Sequence, residues 1–222
     1  DMYRKIGIFN ITDNSTKWVL DDPTRNIEEA DIPRGSEQII INEIKNAQNK
    51  ISLLDIVTLK ETVFSEFQTI IPLAQISNGT WISKYYNSKQ PGDLIIHNAN
   101  KIIRSVTEVF KKVDYAPNDL VKAENYTWNS IDGLKIQGWL YKPKVKPIGT
   151  VVLVHGGPTA HSEDAWDIDI QYFVSQGFNV LDPNYRGSSG FGLSYQEAIK
   201  ESGWGGKEQN DIIEGIKSLI KD

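Results

Sequence analysis

A strand-and-turn pattern that recurs every 43 to 45 residues through the first half, and strands alternating with helices through the second, predict two architectures in one chain. They are a β-propeller fragment of two to three blades, then an α/β domain with a mostly parallel sheet. A third observation ties the second half to chemistry: glycine-rich loops follow two of its strands, where open α/β sheets bind ligands. The 222 residues accommodate one large domain or two small ones, and a hydrophobic fraction of 39% can fill their cores.

The repeat carries the first assignment. Residues 5–11 (K-I-G-I-F-N-I) resemble residues 50–56 (K-I-S-L-L-D-I), and residues 93–98 (D-L-I-I-H-N) resemble both. Aligning Asn10, Asp55 and Asn98 gives spacings of 45 and 43 residues, and residues 36–42 recur at 79–85 with a spacing of 43. Propeller blades have such a strand-only period, although the characteristic blade-closing dipeptides are absent and a β-sandwich also yields short strands with Gly and Asn turns. Closure takes roughly four blades or more, so an open fragment is expected. The apolar triplets at 39–41 and 94–96 suit strands covered on both faces. Asn78-Gly79, between Ile76 and Trp81, is a hairpin signal, and residues 31–35 (D-I-P-R-G) read as another turn. Trp81, Tyr85 and Tyr86 read as sheet packing rather than a binding surface.

The pattern changes near residue 120. A polar crossing at 111–119 contains Pro117 and sets the expected boundary: one domain over residues 1–115, a second over 116–222. Residues 124–129 and 134–141 read as a hairpin about Asp132-Gly133, ended by Pro143 and Pro147. A buried strand follows at 150–154. Residues 165–174 predict a helix with Trp166, Ile170, Phe173 and Val174 on one face and Gly177 as terminator. Residues 178–181 predict the next strand, and 211–220 an amphipathic helix with Ile212, Ile216, Leu219 and Ile220 inward. That alternation implies parallel strands with covered faces and right-handed crossovers.

Composition removes several function classes. A net charge of −5, from 24 basic and 29 acidic residues, leaves no surplus to neutralise phosphates, so nucleic acid is not an expected partner. The lack of cysteine excludes disulfides and thiol chemistry without fixing the compartment, for which the cytoplasm is favoured. No apolar run reaches about 18 residues, so no membrane span is expected. The opening D-M-Y-R has no basic and apolar leader pattern.

Two loops hold the candidate site residues. The run T-V-V-L-V-H-G-G ends in Gly156 and Gly157, whose backbone N–H groups could face an anion or an oxyanion; a tight turn alone would use the same glycines. Pro158 would stiffen the loop. His155 reads as a strand-end prop rather than a base or a metal ligand. His161, Glu163, Asp164, Asp167 and Asp169 follow no ligand spacing, and acids at a helix start are explained by its dipole, so no metal is expected. The second loop, N-Y-R-G-S-S-G-F-G over 184–192, matches neither nucleotide fingerprint, so no cofactor is expected. Arg186 should tie that loop down through a buried carboxylate or carbonyls, and Trp204, before Gly205-Gly206, reads as an aromatic plug. A nucleophile elbow, G-x-S-x-G, is missing: Ser188 and Ser189 have the wrong spacing, and Ser202 has Lys200 where glycine is needed.

The motifs at 128–133, 136–141, 155–158, 184–192 and 204–211, taken in order and spacing, resemble the start of the catalytic domain in the prolyl oligopeptidase family of serine peptidases. The acylaminoacyl-peptidase and dipeptidyl-peptidase branches are the most similar. The resemblance covers residues from about 128 to 222. It implies a propeller joined to an α/β-hydrolase domain, with residues 1–115 as the last blades and 116–222 as the N-terminal part of the hydrolase. It also implies peptide hydrolysis by serine, histidine and aspartate, all expected beyond Asp222, so that the chain alone would be inactive. Gly157, and with it Gly156, matches the oxyanion loop; the dipeptidyl-peptidase branch carries a tyrosine where this chain has His155, which favours backbone donors. Arg186 and Trp204 match scaffold positions. A carboxylester hydrolase of the same fold and a non-enzymatic propeller-type binding module are the rival readings. Unpaired strand edges would allow a homo-oligomer.

Overall fold

Apolar triplets separated by short polar turns fold the first half into antiparallel meanders. The computed structural model describes residues 3–66, 69–77, 79–98, 101–112, 118–157 and 159–221. Contacts divide it into a first unit, Asp1–Tyr85 with Asp93–Glu108, and a second, Tyr86–Gly92 with Val109–Asp222.

In the first unit β1 (Ile6–Asn10) pairs with β2 (Ser15–Leu20). A four-stranded sheet follows, β3 (Ile27–Asp31), β4 (Gln38–Lys45), β5 (Gln48–Asp55) and β6 (Glu61–Glu66), in sequence order. A second meander joins β7 (Thr69–Ser77), β8 (Thr80–Asn87), β9 (Gln90–Asn98) and β10 (Lys101–Ser105). The triplet in β4 works on both faces: Ile39 and Ile41 pack with Ile27 and Leu54, while Ile40 packs with Ile51, Leu53 and Trp81. Strand alternation thereby fills two clusters from three consecutive isoleucines. Arg25 is shared between Glu43 and Glu61, with 2.7 Å to the latter, bracing the same sheet.

The sequence repeat has a physical cause. Asn10, Asp55 and Asn98 each end a strand, and each side-chain oxygen accepts a backbone N–H from two or three residues further on: Thr12 at 2.9 Å, Thr58 at 2.7 Å and Lys101 at 3.1 Å. These are Asx caps, which fix where the chain leaves one strand and so help set the start of the next. The expected propeller fragment of two to three blades is overturned, however. The sheets are separate antiparallel meanders, and none closes into a propeller. Asn78 of the expected hairpin turn lies outside the described residues.

The second unit contains β11 (Glu124–Asn129), β12 (Lys135–Tyr141), β13 (Gly149–Val152), α1 (Ile168–Ser175), β14 (Phe178–Asn184), α2 (Leu193–Glu197), a 3₁₀ turn (Ala198–Glu201) and α3 (Lys207–Lys221). Its strand order is β11-β12-β14-β13. The expected mostly parallel sheet is overturned, because β11 with β12 and β12 with β14 run antiparallel and only β13 with β14 runs parallel. Parallel pairing needs a crossover, and only α1, between β13 and β14, supplies one here. The hairpin about Asp132-Gly133 reverses the chain instead, with Gly133 at φ +83°.

Helix boundaries follow their caps. Asp167 caps α1 by accepting from the N–H groups of Asp169 and Ile170, which leaves Trp166 before the helix rather than on its face. α3 begins at Lys207, earlier than its apolar periodicity indicates, because the Glu208 carboxylate takes the Gly206 N–H at 3.0 Å. Ile220, expected inward, is 79% exposed. The buried residues of α3 are Glu208, Asp211 and Gly215, and Leu219, expected inward, packs against the cluster of Trp128, Ile136, Leu181 and Tyr195; Trp128 Nε1–H donates to the Asp211 carbonyl at 2.7 Å.

Gly215 supplies a test of that packing. Alanine in a helix interior ordinarily gains about 1 kcal/mol over glycine. A Cβ here would lie 2.8 Å from Cε2 and Cζ2 of Trp128. Overpacking of this kind costs about 1–3 kcal/mol, so Gly215→Ala is expected to destabilise the protein in urea unfolding. A stabilised variant would show that Trp128 does not press on α3.

Candidate active site

Because β13 and β14 pair in parallel, the loops leaving their carboxyl ends run side by side. The first spans residues 153–167 and the second 185–192. At the start of the first, the His155 ring stacks on Tyr185, with centroids 4.7 Å apart and planes 18° from parallel. Tyr185 Oη donates to the His155 carbonyl at 2.8 Å. His155 Nδ1 lies 3.1 Å from the Gly156 carbonyl and Nε2 lies 3.0 Å from Ser188 Oγ. A carbonyl can only accept, so Nδ1 carries the proton and Nε2 receives the Ser188 hydroxyl. Burial pushes the His155 imidazole pKa below its ordinary value, which keeps the ring neutral.

Downstream, the same loop is fastened again. Ser189 donates its backbone N–H to Ala160 O at 3.0 Å, and its hydroxyl lies 2.8 Å from His161 Nδ1. Ser162 donates its N–H to Asn184 Oδ1 at 2.7 Å and its hydroxyl to Asp182 Oδ1 at 2.6 Å. The Ser162 carbonyl accepts Trp139 Nε1–H at 2.9 Å. Tyr86 Oη donates to Glu163 at 3.1 Å and Ser88 N–H to Asp164 at 2.8 Å, both within the second unit.

Gly156 and Gly157 sit between these anchorages. Both are exposed, and beyond its own chain neighbours neither has an atom of the described residues within 4 Å of where a Cβ would stand. Gly157 has φ +61°, a conformation costly for other residues, and its carbonyl accepts the Ala160 N–H at 2.7 Å. Neither glycine's N–H has a partner among the described residues. Two unspent donors on a loop fixed at both ends can hold an oxygen that gains negative charge. Pro158 lies outside the described residues.

The other predicted positions serve the frame. Arg186 is 1% exposed and spends its guanidinium on Asp211 at 2.7 and 2.8 Å, on Asp132 at 2.8 and 2.9 Å, and on Ser130 at 3.2 Å. Its charge and hydrogen bonds hold the Asp132 carboxyl well below the usual carboxylate range. Sequence reading gave Asp132 to a turn and Asp211 to a helix, so it missed them as partners. The signal was available in principle, since an arginine entering a buried loop needs carboxylates somewhere. Trp204 corrects an expectation: it is 73% exposed and plugs nothing. Ser188 is 0% exposed and donates to His155.

Asp182 behaves differently from the other acids. It is 9% exposed, and burial pushes its carboxyl up to about 6, against the lowering effect of the Ser162 hydroxyl. The folded state therefore holds this proton more tightly than the unfolded chain. Its contribution to stability is fully present below about pH 4 and is lost as pH rises through about 6. Asp182→Asn keeps an acceptor for Ser162 and removes the titration. In urea unfolding the variant is expected to exceed the parent in stability at pH 7, with the difference shrinking toward pH 4. A difference that does not change with pH would assign the proton elsewhere.

Among the described residues, no helix is long and apolar enough to cross a membrane. Residues 165–222 match the prolyl oligopeptidase family model. Dipeptidyl aminopeptidase BIII of Pseudoxanthomonas mexicana is 27% identical over 159 residues, which cover 66% of this chain and 22% of that protein. A probable dipeptidyl-peptidase 5 of Aspergillus flavus is 37% identical over 87 residues, 36% of this chain and 12% of that one. The fold resembles an acylaminoacyl peptidase of Pyrococcus horikoshii, with a TM-score of 0.74 and 21% identity over 99% of this chain and 34% of that one. It also resembles a puromycin hydrolase, with a TM-score of 0.71 and 16% identity over 99% of this chain and 35% of that one. Residues 165–222 are thus similar in sequence to the prolyl oligopeptidase family, and the fold is similar to that of an acylaminoacyl peptidase. The matched stretches span about a fifth or less of these curated relatives and about a third of these solved structures.

Proposed function

We propose that this chain is part of a serine peptidase, an oligopeptidase or exopeptidase that cleaves short peptides, in which the Gly156 and Gly157 N–H groups hold the oxyanion. The observation that carries this reading is the pair of open donors on a loop fastened at both ends. Homology to peptidases supports the substrate class. In this reading residues 116–222 form the N-terminal part of the catalytic domain. A serine, histidine and aspartate located beyond residue 222 supply the nucleophile, the base and its orienting carboxylate.

The division of labour follows from charge. Attack on a peptide carbonyl drives negative charge onto oxygen, and prealigned N–H donors stabilise it without reorganising. Both ring nitrogens of His155 are taken up, by Gly156 and Ser188, so in this reading it props the loop and the base comes from elsewhere. With donors but no activated serine, the 222-residue chain alone is expected to be inactive.

The test is turnover by the full-length protein of acyl-peptide and free amino-terminal p-nitroanilide substrates beside p-nitrophenyl esters. Peptide cleavage abolished by alanine at the G-x-S-x-G serine is the expected result. Ester turnover without peptide turnover would make the protein a carboxylester hydrolase. Absence of both activities, with retained binding of a protein partner, would make it a binding module.

A further inference from the structure

We infer that Ser189, acting with His161, is a positioning residue that holds the Gly156–Gly157 donors in line. This rests on the peptidase reading above. Two consecutive serines reach back to two histidines that flank the glycine pair: Ser188 to His155 at 3.0 Å on one side, Ser189 to His161 at 2.8 Å on the other. The Ser189 side is also coupled to Gly157 through the backbone. Ser189 N–H donates to Ala160 O at 3.0 Å, and Ala160 N–H donates to Gly157 O at 2.7 Å. Two hydrogen bonds in series therefore join the second loop to the peptide that follows the donor residue.

The need for such a clasp comes from the donors themselves. Gly157 has no side chain to anchor, stands at φ +61° and meets no atom within 4 Å of its Cβ direction. Glycine rotates between backbone wells at little cost, so an unfastened Gly157 would turn its N–H away from the reacting oxygen. Donors serve catalysis only when held in place before the charge forms. Ser189 acts through Ala160 and His161 and need not touch substrate.

The test compares Ser189→Ala, Ser189→Thr and Ser189→Val in the full-length protein by two measurements. The first is amide hydrogen exchange over residues 155–162, which needs no activity. Ser189→Ala is expected to speed exchange there by roughly tenfold or more through local opening. The second is steady-state cleavage of a peptide p-nitroanilide. There kcat is expected to fall on the order of 10- to 100-fold, the scale of a displaced catalytic group, with KM within about twofold. Threonine keeps the hydroxyl and should restore both readouts. Valine matches threonine in shape without the hydroxyl, so the threonine and valine pair decides the matter if the alanine variant fails to fold. Exchange unchanged in the valine and alanine variants overturns the inference, and so does faster exchange with kcat intact. A parent protein that cleaves no peptide overturns the peptidase reading instead, while the exchange measurement still decides whether the clasp exists.

Discussion

Gly157→Pro in the full-length protein is expected to lower kcat for peptide cleavage on the order of 10²–10³-fold, the loss seen when one oxyanion donor is removed. Proline deletes the N–H and cannot adopt φ +61°, since its ring holds φ near −65°. Gly157→Ala is the necessary companion. It keeps the N–H, meets no atom within 4 Å, and costs only the strain of a left-handed alanine, about 1–2 kcal/mol. Its kcat should stay within roughly tenfold of the parent, well above the proline variant. Gly157 is exposed at a loop tip, so neither change should move the unfolding midpoint by much. Equal activity in the two variants would show that the Gly157 N–H is not a donor, and would leave Gly156→Pro to test its neighbour. A proportional rise in KM would instead make the N–H a ground-state contact with substrate.

What the chain disclosed in advance depended on how local each cause was. The Asx caps at Asn10, Asp55 and Asn98 are local, with the side chain and the N–H that it accepts within three residues, so their spacing shows as a repeat. The isoleucine triplet of β4 likewise announces burial on both faces. Strand direction is not local. The alternation of strands and helices suggested parallel pairing, yet β12 lies antiparallel to β14, because the hairpin before it sets its direction. The glycine pair was legible as a motif, whereas the fastening of its loop was not. His155 reads as a prop from its place at the strand end, but Ser188, Ser189 and His161 show no such role until two loops about 30 residues apart lie side by side. Trp204 failed for the opposite reason: a tryptophan beside glycines reads as packing, and its 73% exposure depends on what surrounds it in space.

Arg186→Met should destabilise the second unit by about 3–5 kcal/mol, because it strands a buried carboxylate. Asp211 is 0% exposed, and its oxygens face the Arg186 guanidinium, the Arg186 N–H and the Ser130 hydroxyl. Methionine leaves the last two and removes the charge. Lysine would restore charge without the planar fork that reaches Asp211 and Asp132 together, so Arg186→Lys should recover only part of the loss. The double variant Arg186→Met with Asp211→Asn tests the cause. It should be more stable than the sum of its singles by about 1–3 kcal/mol, since neither charge is then left alone. Asp132 adds a pH signature. Its pKa is depressed in the folded state, so its contribution is present above about pH 4 and lost as pH falls below that, and the Arg186→Met variant should lose this acid-limb slope. Arg186 also precedes Ser188 and Ser189 on the same loop, so its loss should loosen the clasp on Gly157 as well. Urea unfolding at pH 7 and pH 3, with exchange over residues 155–162, measures both effects. A loss below about 1 kcal/mol would mean that Asp211 finds another partner, and that the loop bearing both serines is held by something other than this ion pair.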